Sequence, residues 1–213
     1  MTTRRHFNAI VLTLAGTGLG TAQATSKAPG PVLVLGDSLS AEYGLPRGSG
    51  WVSLLQQKLE RERPAQKVIN ASISGDTTAG GRSRLPALLR QHAPSVLVIE
   101  LGGNDALRGL SLEMTADHLK AMSQSGRAAG ARVLILGMKM PPNFGARQAE
   151  AFDRMYVQVA RATGARLLPF FLQGIADDPD PLRWFQADRI HPNREAQPLM
   201  LGNVWPQLEK LLP

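Results

Sequence analysis

The sequence predicts one three-layer α/β domain, a parallel five-stranded sheet with helices on both faces. Three observations lead there. Short apolar runs alternate with longer stretches whose apolar residues recur at helical spacing, the pattern of repeated βαβ units. The first run, Val32-Leu33-Val34-Leu35, is apolar at every position, as a strand covered on both faces must be. Polar residues able to do chemistry gather just after the runs, where an open α/β sheet has its ligand-binding crevice.

The elements follow in order. Val32 to Leu35 is the first strand, ended by the turn-forming residues of Gly36-Asp37-Ser38-Leu39-Ser40. A helix is expected from about Trp51 to Arg61, a strand over Lys67 to Asn70, and a helix from about Arg82 to His92 with Pro86 near its start. Val96 to Leu101 is the third strand and roughly Leu112 to Ala129 the next helix. Arg132 to Met138 is the fourth strand, and Ala149, Phe152, Met155, Tyr156 and Val159 mark a helix over Arg147 to Thr163. A short fifth strand covers Arg166 to Leu168, and the last helix runs from about Arg194 to Leu212 with kinks expected at Pro198 and Pro206. The connection between these two, from Pro169 to His191, is long and irregular, which marks it as functional or mobile.

The first residues read as an export signal outside that domain. Arg4 and Arg5 precede an apolar stretch from Ala9 to Leu19 and an A-x-A site at Ala22-Gln23-Ala24, so residues 1–24 are expected to be cleaved before Thr25. Thr3-Arg4-Arg5-His6-Phe7 has the form of a bacterial twin-arginine signal, with a general secretory signal as the alternative. The expected location is the periplasm or the medium. No apolar stretch reaches the roughly 20 residues that span a bilayer, so no integral membrane segment is expected after cleavage.

Composition excludes other classes. There is no cysteine, so the fold cannot rely on disulfides, and lipid attachment through a cysteine at the cleavage site is excluded. The formal charge of +7 drops to +5 without Arg4 and Arg5, and the excess is spread along the chain with no basic block, so no nucleic-acid partner is expected. No oligomeric state is specified, and a monomer is the expectation.

Ser38 is the candidate nucleophile, because it follows the first strand at the sheet edge where ligands bind. Taken alone, Gly-Asp-Ser is equally a turn or an N-cap. Serine needs a base, a group to orient the base, and donors aimed at the developing oxyanion. His6 leaves with the signal, and His92 and His118 lie on predicted helices among polar neighbours, where solvated surface is the simplest reading. That leaves His191, in a loop at the right edge, with Asp188 three residues earlier to accept from Nδ1. Gly75, Asn104 and the Ser38 backbone N–H are the candidate oxyanion donors. Asp37 is expected to be structural, accepting backbone N–H groups that fix the turn.

Four blocks, Gly-Asp-Ser-Leu-Ser, Asn-Ala-Ser-Ile-Ser-Gly-Asp-Thr, Glu-Leu-Gly-Gly-Asn-Asp-Ala-Leu-Arg-Gly and Asp-Arg-Ile-His-Pro-Asn, resemble those of the GDSL, or SGNH, hydrolases. The likeness covers almost all of the mature chain and is strongest to the family's bacterial periplasmic thioesterase, lysophospholipase and arylesterase members. It implies a flavodoxin-like sheet and a Ser38-His191-Asp188 triad with Gly75 and Asn104 in the oxyanion hole. It also implies no cofactor, no metal, and small-molecule acyl ester or thioester substrates. One departure is Arg189, where that family pattern has glycine in Asp-Gly-Ile-His. Leu107, Leu110, Met138, Met140, Phe144 and Trp184 are candidates to line an acyl channel. A carbohydrate O-acetyl esterase of the same superfamily is the alternative, and a non-catalytic periplasmic binding protein the remote one.

Overall fold

The computed structural model describes Met1, residues 29–140 and residues 145–213. The predicted export segment beyond Met1 and the channel candidate Phe144 lie outside the described residues.

The five strands are β1 (Val32–Gly36), β2 (Val68–Asn70), β3 (Val96–Glu100), β4 (Arg132–Leu136) and β5 (Arg166–Leu168). They form one parallel sheet in the order β2-β1-β3-β4-β5. This is the flavodoxin-like doubly wound order, whose reversal point lies between β1 and β3. Helices α1 (Trp51–Glu62), α2 (Thr78–His92), α3 (Gly103–Leu107), α4 (Leu112–Ala128), α5 (Ala146–Thr163) and α6 (Gln197–Leu208) connect or follow the strands.

Alternation within each strand divides the core in two. Val32, Val34, Val96 and Val98 face one cluster with Trp51, Leu55 and Val204 of α1 and α6. Leu33, Leu35, Leu97 and Ile99 face the other, against Leu85, Leu119, Phe152 and Tyr156 of α2, α4 and α5. Burying each such side chain is worth about 1.5–3 kcal/mol, so the sheet edge that carries the polar loops rests on a packed support.

Several boundaries differ from the sequence expectation. Helix α2 begins at Thr78, so Pro86 lies in its interior rather than near its start. Thr77 caps it by accepting from Gly80 N, while the low helix propensity of Gly80-Gly81 hides this first turn from periodicity. Helix α3 occupies Gly103–Leu107, where the sequence reads as a loop; five residues are too few to show a helical period. Strand β4 ends at Leu136, short of Met138. Helix α6 starts at Gln197 with Pro198 in its first turn, where a missing N–H costs nothing, and Pro206 lies inside it two residues before its end. His118 is not simply solvated: it is half-buried, with Nδ1 3.1 Å from Thr78 Oγ1.

Candidate active site

Register brings the first pieces together. Gly36 pairs with Glu100 across β1 and β3, so the glutamate lies under the turn that follows β1. A Cβ on Gly36 would stand 2.8 Å from both Glu100 Oε2 and Ser40 Oγ, so only glycine permits the approach. Glu100 Oε2 accepts from Asp37 N at 3.2 Å and from Ser40 Oγ at 2.8 Å. Asp37 Oδ1 accepts from Leu39 N at 3.0 Å, the backbone-fixing role expected of it. Trp51 Nε1 donates to Ser40 Oγ at 3.2 Å, which ties the turn to α1. Ser38 sits at the crest of this braced turn, half-buried.

The partner loop is built by its own backbone. Asp188 Oδ1 accepts from Ile190 N and His191 N, each at 3.0 Å, while Oδ2 lies 2.7 Å from His191 Nδ1. The carboxylate can only accept, so the proton sits on Nδ1 and Nε2 is left as the acceptor. Nε2 lies 2.9 Å from Ser38 Oγ, across 153 residues of sequence. Gln186 Nε2 donates to Tyr43 O at 2.9 Å, and the Tyr43 ring lies over His191 with centroids 4.3 Å apart, so the loop is clasped from the β1 side. Ser38, His191 and Asp188 are thus brought into one hydrogen-bonded chain.

The three oxyanion candidates are not alike. Gly75 has φ +78°, a conformation in which any side chain is strained. Neither its N–H nor that of Ser38 donates to an acceptor among the described residues. The Asn104 amide, carried by α3, is engaged: Nδ2 donates to Asp37 Oδ2 at 2.9 Å and to Asp76 O at 3.0 Å. Two N–H donors are therefore open, and the third is held beside them by Asp37. Arg108 donates to Gly75 O at 2.8 Å and Arg84 pairs with Asp76 at 2.8 Å, fixing this turn from both sides.

A second hydroxyl and imidazole meet at Thr78 and His118, with Asp105 2.5 Å from the same hydroxyl. Thr78 is fully buried, and this chain of hydrogen bonds joins α2, α3 and α4.

The carboxylates divide by environment. Burial pushes Asp37 up to about 6, although the Leu39 N–H and the hydrogen bond from Glu100 pull the other way. Burial, and then the charge of Asp37, push Glu100 well above the usual range. Glu100 is the more deeply enclosed of the two, so it holds the proton and Asp37 carries the charge. Asp188 is lowered to about 2, chiefly by the His191 and Ile190 N–H groups.

Beside the chain of three lies a cavity of about 370 Å³. Of the channel candidates, Met138, Met140 and Leu107 line it, together with Phe170, Phe185 and Ile190. Leu110 and Trp184 do not: Leu110 is exposed on the surface, and Trp184 packs on the α1/α6 core with Nε1 donating to Asp178 Oδ2 at 3.1 Å. The signal for the added residues is position, since Phe170 follows β5 and Ile190 lies inside the Asp188–His191 turn. Among the described residues, no three His, Cys, Asp or Glu side chains form a group able to hold a metal ion, and no helix is long and apolar enough to cross a membrane.

Known proteins resemble this chain in sequence and fold. Residues 34–198 match the GDSL-like Lipase/Acylhydrolase family. The chain is 51% identical over 181 residues to the esterase TesA of Pseudomonas aeruginosa, covering 85% of this chain and 89% of that one. It is 42% identical to the thioesterase 1/protease 1/lysophospholipase L1 of Escherichia coli K12, covering 85% and 84%. A crystal structure of TesA superposes with a TM-score of 0.81 at 51% identity, over 85% of this chain and 99% of that one. A match across most of the chain, on a sheet of the same fold, places the protein among the hydrolases of the GDSL-like lipase/acylhydrolase family.

Proposed function

We propose that the chain is a serine esterase and thioesterase of the periplasm, cleaving small-molecule acyl esters through a covalent acyl-enzyme. One observation carries the reading: the hydrogen-bonded Ser38–His191–Asp188 chain opens beside a cavity lined mainly by apolar side chains. Ser38 Oγ attacks the acyl carbonyl carbon while His191 Nε2 takes its proton. The carbonyl oxygen becomes an oxyanion facing the Ser38 and Gly75 N–H groups, with the Asn104 amide exchanging one of its present bonds to join them. The protonated imidazole then gives its proton to the leaving alcohol or thiol. Water repeats the attack with His191 as base, releasing the acid and restoring Ser38. Asp188 holds the Nδ1–H tautomer and stabilises the imidazolium.

The similarity to an esterase and to a thioesterase 1/protease 1/lysophospholipase L1 supports the ester and thioester range. The twin-arginine-like start and the Ala22-Gln23-Ala24 site support export, with residues 25–213 as the mature domain.

The test is a chain-length series of p-nitrophenyl esters run beside Ser38→Ala. Medium or long chains are expected to be preferred, and Ser38→Ala to lower kcat by up to ~10⁶-fold. A folded Ser38→Ala protein with parental turnover overturns the nucleophile. Activity on acetyl esters alone overturns the acyl channel in favour of an O-acetyl esterase.

A further inference from the structure

Arg189 occupies a position that physical chemistry assigns to glycine. Its φ is +59°, inside the tight turn from Asp188 to His191, where a Cβ is strained. Glycine or asparagine would adopt that backbone with less strain, so a long cation held there, in the turn that carries His191 and on the lining of the cavity, points to a use for its side chain. Its backbone serves the turn by donating from N to Gln186 O at 2.9 Å. Its guanidinium makes no hydrogen bond or ion pair among the described residues.

The acidic groups nearby are already occupied. Asp188 is bound to His191, and Asp177, which lines the same cavity, accepts from Gly174 N at 2.5 Å. On another part of the lining Lys139 stands 4.8 Å from the Phe170 ring centroid, with Asp153 near enough to feel its charge. The cavity therefore combines an apolar lining of Met138, Met140, Phe170 and Phe185 with two exposed cations, of which Arg189 is without a counter-ion among the described residues.

Building on the esterase reading above, we infer that Arg189 is a specificity-determining residue that selects amphipathic acyl esters or thioesters carrying an anionic group. The guanidinium binds the anion while the apolar lining binds the chain, so the anion raises capture of substrate and leaves the chemistry at Ser38 as it is. Two sources share that chemistry: phosphate on the leaving group, or a carboxylate at the far end of the acyl chain.

Two substrate pairs of equal acyl length separate them. One pair is a coenzyme A thioester against the neutral N-acetylcysteamine thioester; the other is an ω-carboxyacyl p-nitrophenyl ester against the plain p-nitrophenyl ester. The readout is the ratio of kcat/KM, anionic over neutral, for the parent, Arg189→Gln and Arg189→Gly. Glutamine keeps the strained backbone and removes the charge, whereas glycine removes both. Both variants are expected to lower the ratio about tenfold in one pair, chiefly through KM, which is the worth of one charge-assisted hydrogen bond. The parent ratio should also fall as salt rises. A fall confined to the thioester pair assigns the anion to the leaving group, and one confined to the ω-carboxyl pair assigns it to the acyl end. Ratios within about twofold of the parent in both pairs overturn the inference, as does a fall in Arg189→Gly without one in Arg189→Gln. The esterase reading has its own failure, parental turnover by Ser38→Ala, so the two outcomes cannot be confused.

Discussion

Two aspartates flank the reacting pair, one next to Ser38 and one three residues before His191, and their surroundings give them opposite properties. Asp37 is 2% exposed and stands over a second buried carboxyl, and burial pushes it up to about 6. The Asp188 side chain is 37% exposed, and two backbone N–H groups with the imidazole bring it down to about 2. Asp188 is therefore a fixed anion throughout the pH range in which an imidazole titrates. Asp37 is a carboxylate kept charged at some cost, with its acceptor sites turned toward Leu39 N and Asn104. The acid beside Ser38 is thus a bracing group, and under the proposed mechanism the acid that stabilises the imidazolium is the one near solvent.

The sharpest way to break that contrast is to neutralise each aspartate without changing its shape. Asp188→Asn is expected to lower kcat by about 10⁴-fold, because an amide at 188 can donate to Nδ1 and favour the wrong tautomer. Steady-state kinetics on an aryl ester checks this, and a loss below tenfold would show that His191 keeps its tautomer without Asp188. The sign of the pH effect follows from the lowered value: the stability contributed by the Asp188 carboxylate is complete above its unfolded value near 3.8 and is lost as pH falls toward 2.

Asn104→Ala comes next, with kcat expected to fall by about 10²–10³-fold as one oxyanion donor is lost. Its amide already spans Asp37 Oδ2 and Asp76 O, so the variant should also unfold at a lower temperature. Thermal melts beside kinetics separate the two effects. A fall in Tm with unchanged kcat would leave Ser38 N and Gly75 N as a sufficient pair.

How much of this was legible beforehand depends on what carries each signal. The centre of the sheet was readable because strands buried on both faces, β1, β3 and most of β4, need apolar runs, while the half-buried edge strands β2 and β5 were legible mainly from their place between helical stretches. The residues that meet at Ser38 were readable because parallel strands deliver every following loop to one edge. Helix α3 was not, since five residues beginning Gly-Asn-Asp carry no period and owe their helical form to packing. Glu100 was hidden for another reason: it ends an apolar run, and only the pairing of Gly36 with Glu100 reveals that it lies beneath the nucleophile turn. Leu110 and Trp184 lie away from the cavity, because apolar character and proximity in sequence do not specify which way a loop side chain faces.

Asp37→Asn should alter stability more than chemistry. The new amide can still accept from Leu39 N, but it presents a donor, or a poorer acceptor, to the Asn104 amide. Leaving a buried donor unpaired costs about 1–3 kcal/mol, and the loosened Asn104 should reduce kcat by only about tenfold. A collapse of kcat with no change in Tm would make Asp37 a direct participant and erase its contrast with Asp188.

The smallest and most diagnostic change is Glu100→Gln. Folding moves Asp37 and Glu100 to higher pKa values, so between the unfolded and folded values the native state binds more protons than the unfolded chain. Stability linked to this pair is therefore present below about pH 4 and declines as pH rises through about 6, the value for Asp37. Glutamine can mimic the protonated acid, with its oxygen accepting from Asp37 N and Ser40 Oγ and its amide donating to Asp37. It cannot ionise in the unfolded chain, so the variant should lose less Tm than the parent between pH 5 and pH 8. Each unit by which Glu100 is raised is worth about 1.4 kcal/mol at the alkaline end, which corresponds to a few degrees in a domain of this size. Parallel declines of Tm in parent and variant would mean that Glu100 is already ionised in the native state. Asp37 would then be the proton holder, and the turn beneath Ser38 would be braced by the opposite member of the pair.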